Sequence, residues 1–137
     1  MNHKEAKALI HNYYDMLNKP QTKDLRTLRS NLSEKWRSFS GENASKGKEE
    51  FLGQVTGFAK LITELEWKVL KILFDGNKIV VRSEAKVTPV GNLFEVPKTG
   101  KSFCIMIIDI HTIGDRKFLS DCHVEDWDGA LKQLTSK

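Results

Sequence analysis

The chain has 137 residues, of which 39% are hydrophobic and 29% charged, so it has the size and composition of one folded globular domain. This composition excludes a disordered chain, a collagen, a coiled coil and a disulfide scaffold. The formal net charge is +4. Residues 1–101 carry 18 basic and 12 acidic side chains, whereas residues 102–137 carry 4 basic and 6 acidic ones. Because the basic excess consists mainly of dispersed lysines, it predicts no nucleic-acid binding.

The N-terminal part of the chain predicts three helices. Apolar residues at helical spacing predict the first over residues 3–18, and Pro20 prevents its continuation. A second, shorter helix is expected after a cap at Thr22, with an inner face of Leu25, Leu28 and Leu32. A third is expected over residues 48–62, with an apolar stripe of Phe51, Leu52, Val55, Phe58, Ala59 and Ile62.

The segment between the second and third predicted helices lacks a helical period. Trp36 and Phe39 are expected on a short strand or in a loop. Residues 41–47 are polar, which predicts an exposed connection.

Beyond residue 62 the apolar period changes from 3.6 to 2, which predicts strands. Apolar and charged residues alternate around Trp67, which predicts the first strand. Asp75-Gly76 predicts a hairpin turn into a second strand over residues 78–88. Further strands are expected over 93–96, 103–113 and 118–127, and a terminal helix over 128–134. This order predicts one α+β domain over residues 1–137, in which three N-terminal helices pack on a curved antiparallel or mixed sheet and enclose a cavity.

The last predicted hairpin holds most of the ionisable residues of interest. If residues 114–116 form a three-residue turn, Asp109 lies opposite Asp121 and Ile107 lies opposite His123. Because side chains alternate along a strand, one face then carries Ile105, Ile107, Asp109, His111, Leu119, Asp121, His123 and Glu125. The other face carries Cys104, Met106, Ile108, Ile110, Ser120, Cys122, Val124 and Asp126. A sheet with one face in the core and the other in water would give the same pattern without any function.

Several motifs of the chain resemble the SnoaL-like polyketide cyclases of the nuclear transport factor 2-like (NTF2-like) superfamily. The residues that carry the resemblance are Thr99-Gly100-Lys101, Ile108-Asp109-Ile110-His111, Lys117-Phe118, His123-Val124-Glu125-Asp126-Trp127 and Leu131-Lys132-Gln133-Leu134, with a looser match at Tyr13-Tyr14 and Gly47-Lys48. The resemblance implies a cone-shaped NTF2-like fold whose concave sheet face lines a cavity under the helices. It also implies a homodimer through the convex face, here Met106, Ile108, Ile110 and Val124.

The resemblance assigns the chemistry to the mixed face of the hairpin. His123 is the expected acid or base, Asp109 its partner on the neighbouring strand, and Asp121 a third catalytic residue close to Asp109. In the family the penultimate strand typically carries His and the last strand Asp, so the two residue types are exchanged in this chain. Substrate-binding residues are expected to be Tyr14, Trp36, Ile107, His111 and Glu125, with the Tyr14 hydroxyl donating a hydrogen bond to a substrate oxygen.

Other kinds of site are not expected from the sequence. The predicted register starts His111 and His123 roughly 13 Å apart, too far for one metal ion, and no cofactor motif is found. The same register keeps Cys104 and Cys122 beyond disulfide distance. Two cysteines, the lack of an apolar run of roughly 20 residues and the acid-containing N-terminus predict a cytoplasmic protein with no membrane association.

The favoured hypothesis is a small homodimeric enzyme. It would cyclise or isomerise an apolar carbonyl compound by acid/base chemistry without a cofactor, as an isomerase or lyase of the polyketide cyclase type. The alternative is a non-catalytic ligand-binding or protein-interaction domain on the same scaffold. A third possibility, an epoxide hydrolase, requires an Asp-Arg-Asp arrangement, for which Arg82 is the only arginine on a predicted strand.

Overall fold

A computed structural model describes residues 2–90 and 100–136 and has the predicted α+β architecture. The described part contains four α-helices and six strands that form one curved, unclosed sheet. In chain order these are α1 (His3–Leu17), α2 (Leu25–Asn31), β1 (Arg37–Gly41), β2 (Ala44–Gly47), α3 (Lys48–Ala59), β3 (Ile62–Asp75), β4 (Lys78–Pro89), β5 (Phe103–Gly114), β6 (Lys117–Glu125) and α4 (Trp127–Thr135). The strand predicted over 93–96 lies outside the described residues.

The sheet is mixed, and its strand order is β2-β1-β6-β5-β4-β3. All neighbouring strands are antiparallel except β1 and β6, which run parallel. The predicted turn at Asp75-Gly76 is confirmed as a two-residue hairpin between Asp75 and Lys78, and Gly76 adopts a φ of 59° that favours glycine. The long β3–β6 meander follows from the period-2 pattern of the sequence.

The secondary structure differs from the predicted one mainly at three places. Asp24, not Thr22, caps α2, because its carboxylate accepts the Arg26 N–H at 3.0 Å, whereas Thr22 lies in a short 3₁₀ turn over 20–22. Helix α3 ends at Ala59, and Ile62 already begins β3. The polar segment predicted as a connection contains β2, since a hairpin pairs it with β1.

The register of the last hairpin was predicted wrongly by two residues. The turn has two residues, Asp115 and Arg116, both with positive φ (51° and 61°), and a bulge follows at Leu119. An even shift leaves side chains on the same face, so the predicted face of residues 121–125 is unchanged. The bulge does change Leu119, which is 38% exposed, while Phe118 takes the buried inner position.

Side-chain contacts tie helices α4 and α1 to the sheet on which the site is built. Residues 103–106 of β5 extend past the end of β6, and the side chain of Gln133 on α4 accepts the N–H of Cys104 and donates to its carbonyl oxygen. At the β3 edge, the Asn18 side chain at the end of α1 accepts the N–H of Trp67. Asp126 caps α4 by accepting the N–H of Gly129 at 2.9 Å. Helices α1 and α4 are therefore both tied directly to the sheet, α1 at β3 and α4 at β5.

Within the described residues, every helix is too short or too polar to cross a lipid bilayer.

Candidate active site

The corrected register brings the ionisable side chains of β5 and β6 closer together than predicted. Asp109 pairs directly with His123, and His111 with Asp121. Nδ1 of His123 forms a short hydrogen bond with Asp109 Oδ1, and its Nε2 forms another with Oε1 of Glu125, two residues along the same strand. The His123 imidazole is thus held between two carboxylates.

Helix α1 contributes Tyr14 to the same cluster. Its hydroxyl donates to Asp109 Oδ2 at 2.6 Å and lies 2.8 Å from Nε2 of His111. Since the hydroxyl proton goes to the carboxylate, the Nε2–H of His111 donates to the phenol oxygen, and Nδ1 of the same ring is left with a lone pair. That Nδ1 faces Oδ1 of Asp121 at 3.7 Å, and neither atom has a hydrogen-bond partner among the described residues.

The two carboxyl groups beside His123 have pKa values shifted in opposite directions. Burial raises the pKa of Asp109, but the hydrogen bond from His123 and the charges of the imidazoles outweigh burial and bring this pKa to about 2. Burial and the nearby charge of Asp109 raise the pKa of Asp121 well above its usual value. Asp109 is therefore the ionised member of the pair, and the protonated form of Asp121 is favoured.

The two imidazoles also differ. Burial lowers the pKa of His123, but its hydrogen bonds to Asp109 and Glu125 dominate and raise this pKa to about 11. Burial lowers the pKa of His111 to about 4, because the attraction of Asp109 is too weak to compensate. At neutral pH His123 is an imidazolium and His111 is a neutral ring.

A cavity of about 670 Å³ lies between the helices and the concave sheet face. Its wall is mostly apolar, with polar groups from β1, β2, β6 and α3. The apolar lining includes Tyr13, Leu17, Phe51, Phe58, Leu65, Trp67, Ala85, Val87, Phe103, Ile105, Ile107 and Trp127, and the polar lining includes Ser38, Ser40, Lys46, Gln54, Asp121, His123 and Glu125. A pocket of this size and character suits an organic small molecule.

The residues predicted for the site occupy two layers. The cavity wall includes the predicted catalytic residues His123 and Asp121, together with Ile107 and Glu125 from the predicted substrate-binding set. Asp109, Tyr14 and His111 lie behind that wall, and the structure brings all three together as one buried cluster. Trp36 is also outside the wall: it is 1% exposed and packs against Phe51, with ring centroids 4.9 Å apart.

Sequence reasoning missed two features of this site. One is the contact of Tyr14 with Asp109, which spans 95 residues of sequence and leaves no local signal. The other is the polar side of the cavity formed by Lys46 and Gln54. Lys46 lies on β2, which has only four residues. An alternating pattern over so few residues does not distinguish a strand from a loop.

One group of side chains combines metal-ligand types. Asp109, His111 and Asp121 each offer one ligand atom, and these atoms lie within 4.8 Å of one another. The corrected register also places His111 and His123 two residues apart on neighbouring strands rather than roughly 13 Å apart as predicted. Tyr14 and His123 already engage both carboxylate oxygens of Asp109.

The remaining sequence expectations concern arginine and cysteine. Arg82 pairs with Ile108 on the outer face of the sheet and is exposed, and the described residues that line the cavity include no arginine. An Asp-Arg-Asp arrangement is therefore absent from the described cavity wall. Cys104 and Cys122 are free thiols, both exposed.

Comparisons with known proteins agree with the sheet and helix order. Residues 7–134 match the family model of the SnoaL-like polyketide cyclases. TsrD from Streptomyces laurentii superposes with a TM-score of 0.84 at 22% identity, covering 100% of this chain and 99% of that chain. IdmH from Streptomyces antibioticus, a proposed polyketide cyclase, gives a TM-score of 0.83 at 20% identity, covering 96% of this chain and 99% of IdmH.

An epoxide hydrolase of the LEH-like type from M. tuberculosis shares the fold at greater distance. Its TM-score is 0.72 at 11% identity, and the match covers 96% of this chain and 90% of the hydrolase. At these identities the structural likeness establishes the fold alone. No curated protein matches the sequence significantly.

Proposed function

The chain belongs to the SnoaL-like polyketide cyclase family, and from this premise we propose that it is an enzyme that moves a proton on an apolar carbonyl compound. The reaction is a cyclisation or isomerisation of the isomerase or lyase type, and it needs no cofactor. The observation that carries the proposal is the placement of His123 at the wall of an apolar cavity, with its ring held between Asp109 and Glu125.

His123 acts as the acid in this scheme. Because its pKa is about 11, the ring is an imidazolium at neutral pH and can donate through Nε2 to a carbonyl oxygen of the substrate. That oxygen takes the place of Glu125 as acceptor. The ionised Asp109 keeps its own hydrogen bond at Nδ1 and so holds the ring in place.

The base of the scheme is the carboxylate that the substrate displaces. Glu125 lines the cavity beside His123 and takes the proton from the carbon next to the carbonyl group. The electron pair of that C–H bond forms an enolate whose oxygen is stabilised by His123. For ring closure, the enolate carbon attacks a second carbonyl carbon of the same molecule, the π bond of that carbonyl breaks, and its oxygen takes the proton held by Glu125. For isomerisation, a conjugated enolate takes that proton back at another carbon. In both cases the first C=O bond re-forms.

The side chains around Asp109 keep it ionised and oriented. Tyr14 donates a hydrogen bond to Oδ2 of Asp109, and a protonated Asp121 carries no competing negative charge. His111 in turn supports the Tyr14 hydroxyl. Ile107 contributes to the apolar wall, and Trp36 supports that wall through Phe51.

Deuterium exchange tests the proton transfer without knowledge of the natural substrate. The probe is 2-acetonaphthone in D₂O, whose methyl protons are next to a carbonyl group and can be followed by ¹H NMR. We expect the protein to accelerate exchange over buffer and His123→Gln to lose on the order of 100-fold of that acceleration. His11→Gln, which replaces an exposed histidine on α1, is the matched control and should exchange at the wild-type rate.

Equal rates for His123→Gln and wild type would remove His123 from the mechanism. Binding of the ketone without exchange would instead favour the second candidate, a non-catalytic ligand-binding domain. One observation favours that candidate: both nitrogens of His123 are already engaged by carboxylates, so a ligand must displace Glu125 before chemistry begins.

The proposal includes a homodimer and a cytoplasmic location. Met106, Ile108, Ile110 and Val124 share the convex face and are 52%, 40%, 42% and 65% exposed, an apolar patch that association would bury. Light scattering that gives the mass of a single chain at micromolar concentration would contradict the dimer. The exposed thiols of Cys104 and Cys122 suit a reducing compartment.

A further inference from the structure

The cavity has one cationic side chain in its described lining that the proposed chemistry does not use. Lys46 on β2 is half-buried, its Nζ donates to Oε1 of Gln54, and it lies 5.8 Å from the centre of the Phe51 ring. Gln54 is a neutral partner, and no described carboxylate forms an ion pair with this lysine. The ammonium group therefore lies at the edge of an apolar pocket without a carboxylate counter-ion among the described residues.

The sheet places Lys46 on the same row as Asp121 but two strands away from it. Lys46 pairs with Ser38 on β1, and Ser38 pairs with Asp121 on β6. With neighbouring strands about 4.8 Å apart, the backbones at Lys46 and Asp121 are about 10 Å apart on this row. A ligand whose carbonyl group reaches His123 can therefore have another polar group close to Nζ of Lys46.

Binding of a ligand in the cavity would remove water from the ammonium group of Lys46. A neutral apolar ligand would displace water from an ammonium group whose remaining partners are an amide and an aromatic face. A ligand with an acidic group would replace that water by a charge-assisted hydrogen bond. The carboxylates of Asp109 and Glu125 repel the same group from the catalytic end, so the two ends of the cavity differ in the charge that they accept.

We propose that the ligand of this cavity is a flat, apolar compound with a carboxylate or similarly acidic group at one end, and that Lys46 binds this group. The apolar body then lies against Phe58, Trp67, Phe103 and Trp127. This assignment rests on the proposed function in one respect only, that the cavity is the substrate site, and it narrows the substrate class to acidic compounds.

Two probes of equal shape separate charge from hydrophobic contact. Calorimetric titration at neutral pH and low salt would compare 2-naphthoic acid, which is ionised, with 2-naphthamide, which is neutral. We expect the acid to bind about tenfold more tightly to the wild type, an effect of the size expected for one charge-assisted hydrogen bond at a partly exposed site. Added salt should weaken binding of the acid and leave the amide unchanged.

Variants of Lys46 identify the group responsible. Lys46→Met should abolish the preference for the acid without changing the affinity for the amide, and Lys46→Arg should retain most of it. Lys68→Met, which removes an exposed lysine on β3 that does not line the cavity, is the matched control and should keep the preference. Its result separates a local contact from the overall positive charge of the chain.

Three outcomes would overturn the proposal: equal affinity of the two probes for wild type, equal weakening of both by Lys46→Met, or binding of neither probe up to its solubility limit. Failure of the proposed enzymatic function is recognised separately, because no titration depends on turnover. An acid preference in a protein that does not accelerate deuterium exchange would leave Lys46 as the anchor of a binding domain. Accelerated exchange without an acid preference would disprove the role of Lys46 and leave the proposed enzymatic function standing.

Discussion

The last hairpin holds two histidine–aspartate pairs on successive inward-facing positions, and their imidazoles have opposite properties. His123, paired with Asp109, has its pKa raised to about 11, whereas His111, paired with Asp121, has its pKa lowered to about 4. Both rings are largely removed from solvent. Burial alone therefore does not decide the charge of a histidine in this sheet.

The hydrogen-bond partners account for the difference. Both nitrogens of His123 meet carboxylate oxygens, which stabilise the imidazolium. His111 meets a phenol at one nitrogen, and at the other it faces Asp121 across 3.7 Å, too far for a hydrogen bond. Because the protonated form of Asp121 is favoured, the second pair gives little charge to offset burial. In the proposed mechanism the first pair supplies an acid to the cavity, and the second pair supports it without carrying a charge.

The strongest way to break this contrast is Asp109→Asn. The substitution removes the ionised partner of His123, so we expect the pKa of His123 to fall from about 11 towards its ordinary range and deuterium exchange to slow on the order of 100-fold. Since the change breaks a buried ion pair, it should lower the free energy of unfolding by about 3 kcal/mol near neutral pH. Histidine ring protons followed by NMR titration give the pKa, and urea denaturation gives the stability.

The sign of the pH effect provides a check on Asp109→Asn. The pKa of His123 is higher in the folded than in the unfolded chain, so its stabilising contribution is complete below about pH 6.5 and is lost as the pH rises towards 11. The stability advantage of wild type over the variant should shrink accordingly in alkaline solution. An advantage that is constant between neutral and alkaline pH would contradict an imidazolium at His123.

A smaller effect is expected from His111→Gln, which keeps a donor for Tyr14 and removes the titratable ring. The pKa of His111 is lower in the folded chain, so the wild type should lose stability as the pH falls from about 6.5 towards 4. The variant lacks this loss. Between about pH 7 and pH 4.5 the stability of wild type relative to the variant should therefore drop by about 2 kcal/mol.

The comparison between His111→Gln and wild type must be made as a difference, because Asp121 titrates in the opposite sense. Its raised pKa favours the folded state as the pH falls, and this contribution is common to both proteins. Urea denaturation at the two pH values gives the four free energies needed. Parallel curves for the two proteins would show that His111 is not held neutral in the folded state.

The sequence predicts the alternation of the hairpin but not its register. Period 2 placed Asp109, His111, Asp121, His123 and Glu125 on one face, and an even shift of register left that face intact. The pairing of these residues depends on the two-residue turn formed by Asp115 and Arg116. Both turn residues have a positive φ, although neither is a glycine. Turn length and the bulge at Leu119 are decided by packing of Phe118 into the core, which no local pattern reveals.

The difference between His123 and His111 also depends on α1, which contributes Tyr14. Of the substitutions proposed, Tyr14→Phe has the smallest expected effect. The substitution removes the hydrogen bond to Asp109 and leaves the Nε2–H of His111 without an acceptor, while the shape of the core is kept. We expect the free energy of unfolding to fall by about 1–2 kcal/mol, because one buried hydrogen bond is lost and one donor is unsatisfied. Tyr13→Phe, which removes the hydroxyl of the neighbouring tyrosine, is the matched control for the loss of a phenol oxygen.

The two measurements on Tyr14→Phe distinguish support from catalysis. If Tyr14 acts only by holding Asp109, deuterium exchange should slow by less than about tenfold, since the short hydrogen bond between Asp109 and His123 remains. A loss as large as that of Asp109→Asn would instead mean that Tyr14 contacts the reacting molecule, as expected for a substrate-binding residue. The active site would then extend behind the cavity wall to Tyr14. The distinction between a catalytic His123–Asp109 pair and a merely supporting His111–Asp121 pair would no longer hold.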